Sequence, residues 1–208
     1  FYDDGAGVFA VFDGMDGGQA SELCREVLAW ASFGIPSWDP RAANEAAIKE
    51  MVAAIDAFWR KADPPGTVAT STVALLRRSG GVVAIAHVGD CRVYRLRHGE
   101  LARLTKDHTL EHAAPEAGVP TLGDRGQHIL LRSLGGGLDS EATHAIERLL
   151  PGDRFLLCTD GVHEVINDEA IAVALRCGAR PWHAASRLLD AVEAAGLSDN
   201  LGIVVVDA

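Results

Sequence analysis

Four aspartates stand at the ends of apolar runs. Asp13-Gly14 closes Val8-Phe9-Ala10-Val11-Phe12, and Asp160-Gly161 closes Phe155-Leu156-Leu157-Cys158-Thr159. Asp90 follows the run 82–88 across Gly89, and Asp199-Asn200 precedes the run 203–206. Unbroken apolar runs of this length read as strands buried on both faces. A carboxylate at such a tip sits at the open rim of a sheet, where it need not be buried alone. Several tips of this kind suggest one shared site. Carboxylate, carbonyl and water oxygens suit hard divalent ions such as Mg²⁺ or Mn²⁺. Two such ions about 3.5–4 Å apart can activate a water for in-line attack on phosphorus. Glycine beside the aspartate permits close backbone approach and leaves a carbonyl free to bind. The competing reading is plainer: Asp-Gly after a strand is a common turn. Spacing alone leaves both readings standing.

The elements that would position these residues can be read in order. Apolar spacing over 17–30 predicts a helix, and Asp39-Pro40 opens a second one that Pro64-Pro65-Gly66 ends. Strands are predicted over 70–76, 82–88, 92–96 and 101–104, joined by Ser79-Gly80-Gly81 and His98-Gly99-Glu100. The stretch 107–127 carries Pro115, Gly118, Pro120 and Gly123 and reads as a mobile flap. Strands follow at 143–148 and 154–159, then helices at 168–177 and 182–195, then a strand over 201–206. Hairpin-length connections with helices outside predict an α+β fold built on antiparallel sheets.

Composition narrows the class. The 208 residues fit one domain spanning 1–208, with 48% apolar and 23% charged residues, as in an ordinary globular protein. A net charge of −10 argues against a nucleic-acid partner. No apolar run approaches the ~18 residues of a membrane span, so no membrane association is expected. Cys24, Cys91, Cys158 and Cys177 form no CxxC pair, which predicts a reducing, cytoplasmic setting and no structural zinc. Phe1-Tyr2-Asp3-Asp4-Gly5 resembles neither a signal peptide nor a natural start, so a preceding segment is expected.

A family resemblance rests on ordered segments. They are 11–18 around Asp13-Gly14-Met15-Asp16, His87-Val88-Gly89-Asp90-Cys91-Arg92, Leu104-Thr105-Lys106-Asp107-His108, Arg132-Ser133-Leu134-Gly135, Thr159-Asp160-Gly161 and Ser198-Asp199-Asn200. Together they resemble the PP2C family of metal-dependent protein phosphatases, in its compact bacterial form. The resemblance implies a four-layer α-β-β-α sandwich with two central antiparallel sheets. It implies hydrolysis of phosphoserine and phosphothreonine by direct attack of a metal-bridging hydroxide, without a covalent enzyme intermediate. Asp13 would bridge two Mn²⁺ or Mg²⁺ ions, and the Gly14 carbonyl would bind one of them. Asp160 and Asp199 would complete the binuclear centre, and Asp13, Asp160 and Asp199 would carry catalysis. Asp90, with Asp160, would hold a third and weaker ion. The implied partners are phosphorylated proteins, including a Ser/Thr kinase and its targets, with the phosphatase itself a monomer.

The pattern also has departures. The family's phosphate-gripping arginine and Asn-Glu-Asp motif precede the opening strand, and counting back from Asp13 places their end near position 1. Gly5 and Gly7 place Asp3 and Asp4 in a turn, so they are not expected as ligands. Asp16 replaces a glycine and adds a negative charge. Met15 stands where animal members have a histidine proposed as general acid, and no general acid is evident here. Asp16 and the missing upstream acid motivate an alternative: a weakly active or inactive phosphatase-like module that binds a phosphoprotein or kinase.

Other motifs carry weaker chemistry. His108-Thr109-Leu110-Glu111-His112 matches H-x-x-E-H, but Pro115 denies it the long helix a zinc peptidase needs. Cys91 to Arg97 has cysteine-phosphatase spacing, yet Val93, Tyr94 and Leu96 read as strand. Gly5-Ala6-Gly7 precedes a strand, the wrong side for dinucleotide binding. Arg132 could line an anionic cleft or form a salt bridge.

Overall fold

The computed structural model describes residues 1–15, 19–34, 39–59, 70–115, 117, 118, 120, 126, 128–196 and 199–208. Asp16, Ser198, the loops expected around 36–38 and 64–66, and much of 116–127 lie outside the described residues.

Two antiparallel sheets face each other. The first orders strands β1 (Tyr2–Asp3), β2 (Val8–Gly14), β3 (Thr70–Ser79), β4 (Val82–Val88) and β8 (Thr143–Arg148), with β7 (Leu134–Gly135) also on β3. The second orders β10 (Ile203–Asp207), β9 (Arg154–Cys158), β5 (Arg92–Arg97) and β6 (Glu100–Arg103). Helices α1 (Gln19–Gly34) and α2 (Pro40–Trp59) cover the first sheet. Helices α5 (Asp168–Cys177) and α6 (Pro181–Ala195) cover the second. Single turns α3 (Leu110–Ala113) and α4 (Asp160–His163) complete the order. The layering is α-β-β-α, as the sequence predicts.

The strands are apolar throughout because both faces are buried. On β2, Val8 and Ala10 pack under the helices while Phe9 and Val11 face the opposing sheet. In α2, Ala43, Ala47, Met51 and Ile55 recur every fourth residue and are buried. In α6, Ala184, Leu188 and Val192 do the same. Burying a Leu, Ile or Val side chain contributes about 1.5–3 kcal/mol each, so these stripes fix which face of each helix turns inward. Asn167 caps α5 by accepting the Ala170 amide at 3.0 Å. Pro181 starts α6, and Gly196 closes it in the left-handed region.

Two expectations are corrected. Asp3 ends strand β1 opposite Val8 rather than lying in a turn; only Asp4 does so. Residues 107–114 are not a free flap. Asp107 and Thr109 are buried, and backbone bonds join His108 to Gly89 and to Leu131. The prolines and glycines that suggested a flap begin only at Pro115, after this anchored start.

Candidate active site

Topology gathers the aspartates. β2 and β4 both run antiparallel to β3, so Asp13-Gly14 and Gly89-Asp90 emerge at the same rim. β9 and β10 pair with Cys158 opposite Ile203, which brings the segments of Asp160 and Asp199 side by side. Thr159 locks them together: its amide donates to the Gly202 carbonyl at 3.1 Å, and its Oγ1 accepts from the Gly202 amide at 2.9 Å. A Cβ on Gly161 would lie 2.5 Å from the Asn200 carbonyl oxygen, so only glycine permits this closeness. Asp160 begins α4, and its carboxylate accepts the Gly161 amide at 2.7 Å. Asp199 accepts the Asn200 amide at 2.7 Å.

The proximity has an electrostatic consequence. Burial, a hydrogen bond with Asp160 and the charges of Asp160, Asp90 and Asp199 push the Asp13 carboxyl up to about 7. Burial and then the charge of Asp160 push Asp90 up to about 7. Among the described residues, no ion pair reaches any of the four aspartates. Carboxylates crowded without a cation are the donor set that a hard divalent ion would neutralise. The residues present therefore fit such an ion chemically. As the side chains stand, no group of three His, Cys, Asp or Glu among the described residues closes around one point. Asp160 and Asp199 are turned onto their own following amides instead.

The protein phosphatase 2C family model matches residues 3–114, over half the chain. The chain belongs to the protein phosphatase 2C family. It is 32% identical over 212 residues to the serine/threonine protein phosphatase PstP of Mycobacterium tuberculosis, covering 98% of this chain and 40% of that protein. It thus spans well under half the length of that relative. It is 27% identical to the serine/threonine phosphatase stp of Listeria monocytogenes, covering 98% of this chain and 85% of that protein. The crystal structure of the M. tuberculosis phosphatase PstP/Ppp superposes with a TM-score of 0.87 at 30% identity, covering 96% of this chain and 87% of that one. A second structure, the PstP catalytic domain in complex with 2 manganese ions, gives 0.84 at 32% identity, with 96% and 86% covered.

Within this PP2C fold the other singled-out residues resolve. Arg132 forms the salt bridge, with Asp139 at 3.1 Å, and lines a cleft of about 270 Å³ with Lys106, His108, His112 and Thr143 that holds none of the four aspartates. Cys91 is fully buried, its thiol pushed well up by burial, and Arg92–Arg97 is a strand, so no phosphate loop forms there. His108 and His112 flank a single helical turn, and His108 stacks on His87 with ring centroids 4.4 Å apart. Asp3 accepts the Ala6 amide at 2.9 Å, and Asp4 pairs with Arg78 at 2.9 Å; neither joins the cluster. Met15 is 68% exposed beside Asp13-Gly14.

Sequence reasoning gave no role to three groups that shape the site. Arg92 holds buried Asp107 through both carboxylate oxygens, at 2.6 and 3.0 Å, and reaches Tyr94. His108 and His163 bond the backbone around Asp90. Burial depresses both imidazoles, His108 to about 3 and His163 to about 4, which keeps them neutral. Only the presence of Asp107-His108 among the ordered segments hinted at them.

Proposed function

We propose that residues 1–208 form one catalytic domain, a metal-dependent protein serine/threonine phosphatase that hydrolyses phosphoserine and phosphothreonine. The observation that carries this reading is the crowding of Asp13, Asp90, Asp160 and Asp199 at one rim, with no ion pair to them among the described residues. The manganese complex of the PstP catalytic domain supports Mn²⁺, with Mg²⁺ as the other suitable ion. Asp13, the Gly14 carbonyl, Asp160 and Asp199 would hold two ions, and Asp90 with Asp160 a third. Such ions supply an activated water for direct in-line attack on phosphorus. The protein's own part is positional. Thr159 and Gly161 clamp the Asp160 and Asp199 segments together, and Arg92 with Asp107 braces the strand that follows Asp90. The cleft of Lys106, His108 and Arg132 offers cationic and hydrogen-bonding groups to a phosphoprotein segment beside Asp90.

The partners on this reading are phosphorylated proteins, a Ser/Thr kinase and its targets among them. The domain acts as a monomer in the cytoplasm, in keeping with four free cysteines. The test is hydrolysis of an aryl phosphate with and without Mn²⁺. Chelation and Asp160→Asn should each abolish turnover; activity indifferent to both would sink the proposal. A second reading, a binding module without hydrolysis, draws on the carboxylates of Asp160 and Asp199, each of which accepts the following amide. Calorimetry separates the two. Micromolar Mn²⁺ binding at two or more sites excludes the inert module.

A further inference from the structure

The Gly89-Asp90 turn is gripped from two sides. Gly89 and His108 exchange a pair of bonds: the His108 amide donates to the Gly89 carbonyl at 2.9 Å, and the Gly89 amide donates to His108 Nδ1 at 3.1 Å. Because Nδ1 accepts, the ring proton of His108 sits on Nε2, which reaches Thr143 Oγ1 at 2.8 Å. On the other side His163 Nε2 lies 3.1 Å from the Asp90 carbonyl oxygen, so its proton is on Nε2 as well. Two backbone groups bracketing Asp90, the Gly89 amide and the Asp90 carbonyl, are thus fixed by imidazoles from separate segments, and the Gly89 carbonyl by the His108 main chain. The turn is also tightly shaped. Gly89 has φ of +96°, and a Cβ there would run into the Thr72 side chain.

His163 is retained at a cost. Its Nδ1 is buried without a hydrogen-bond partner among the described residues. An apolar side chain of similar size would avoid that penalty, so the ring's value lies in its Nε2 bond. Among the described residues neither ring hydrogen-bonds a carboxylate of the aspartate cluster; the bonds they make around Asp90 are to main-chain groups.

We propose that His108 and His163 are positioning residues that hold the Asp90 turn and thereby set the affinity of the weakest divalent-ion site. This rests on the reading of Asp90 as a ligand. Outer partners of this kind, when removed, cost about 10–100-fold in metal affinity.

The experiment is calorimetric titration of the metal-free protein with Mn²⁺, with thermal unfolding of each variant in parallel. Asp90→Asn should remove the weakest class of binding. His108→Ala and His163→Ala should each weaken that class by at least about tenfold and leave the tighter ions in place. Asn carries its amide oxygen where Nδ1 lies, and Gln carries its amide nitrogen where Nε2 lies. His108→Asn should therefore bind as wild type and His108→Gln should not, whereas at position 163 Gln should rescue and Asn should fail. This opposite preference is a readout that general destabilisation would not produce, and it stands even if the Ala variants fail to fold. Wild-type affinity in both Ala variants, or equal behaviour of Asn and Gln at each position, overturns the clamp while leaving the phosphatase reading intact. An unchanged titration with Asp90→Asn overturns it by removing the ligand it is meant to hold.

Discussion

The two rims of the sandwich are built from the same strands and carry opposite electrostatics. At the rim away from the candidate site, three carboxylates meet arginines. Arg154 grips Asp207 at 2.6 and 2.8 Å, Arg97 grips Asp153 through two bonds of 2.7 Å, and Arg95 pairs with Glu147 at 2.5 Å. The Arg97 hydrogen bonds hold the Asp153 carboxyl below its ordinary value. At the site rim, β9 and β5 meet Asp160 and Asp90 with no arginine on either among the described residues, and burial and mutual repulsion push Asp13 and Asp90 up. One rim stabilises the fold. The other stores unrelieved repulsion, a local cost that persists where a ligand is to be bound.

The sharpest way to test this contrast is to remove a charge from each rim. At the site rim, Asp160→Asn should lower turnover by at least about a hundredfold, or about 2.7 kcal/mol of barrier. It should leave the melting temperature of the metal-free protein equal or higher, because a repelling carboxylate is gone. A large fall in melting temperature would show that Asp160 holds the fold rather than the reaction. At the far rim the outcomes reverse. Arg154 also caps the end of α5, donating to the Leu175 carbonyl at 2.8 Å and to Gly178. Arg154→Met should cost about 2 kcal/mol of stability by leaving these acceptors unpaired. Thermal unfolding would read this as a drop of about 4–8 °C. Turnover per folded molecule should be unchanged.

This difference also explains what the sequence could and could not convey. The site rim was legible because it is written locally: an apolar run, then Asp, then Gly. The short β3–β4 turn fixes the direction of the strand that leads to Asp90, but two helices separate β2 from β3, so Asp13 joins it through the β2–β3 pairing that no hairpin length dictates. The far rim was not legible. Its pairs join Arg97 to Asp153 and Arg154 to Asp207, more than fifty residues apart, and no local pattern marks them. The roles of His108 and His163 were hidden for a related reason. Each acts on a main-chain group, Gly89 or Asp90, which has no identity in the sequence beyond its place in the turn. The flap expectation over 107–127 failed at its start because Asp107, polar in text, is matched by Arg92 in space.

Acid should separate the rims further. The folded Asp153 carboxyl is depressed relative to the unfolded chain, chiefly by Arg97. Its contribution is therefore fully present above the unfolded value near 3.8 and disappears as pH falls through the lower folded value. Denaturant titrations from pH 6 downward should show stability falling below about pH 4. In Asp153→Asn the acid limb should be shallower and the neutral plateau lower. A variant whose limb kept the wild-type slope would show that Asp153 is not among the groups responsible.

The smallest effect is expected from the most exposed acid of the paired rim. Asp4 pairs with Arg78 at 2.9 Å, but its side chain is 77% exposed. Solvent screens such a pair, and holding two long side chains in register offsets most of the attraction. Arg78 also keeps a second acceptor, the Asp207 carbonyl at 2.8 Å. Asp4→Ala should therefore change stability by less than about 0.5 kcal/mol and leave Mn²⁺ titration and turnover at wild-type values. A loss of Mn²⁺ affinity in this variant would mean that the acidic rim reaches past β2 to the turn before it. The contrast between a bare rim and a paired one would then have to be redrawn around Asp4.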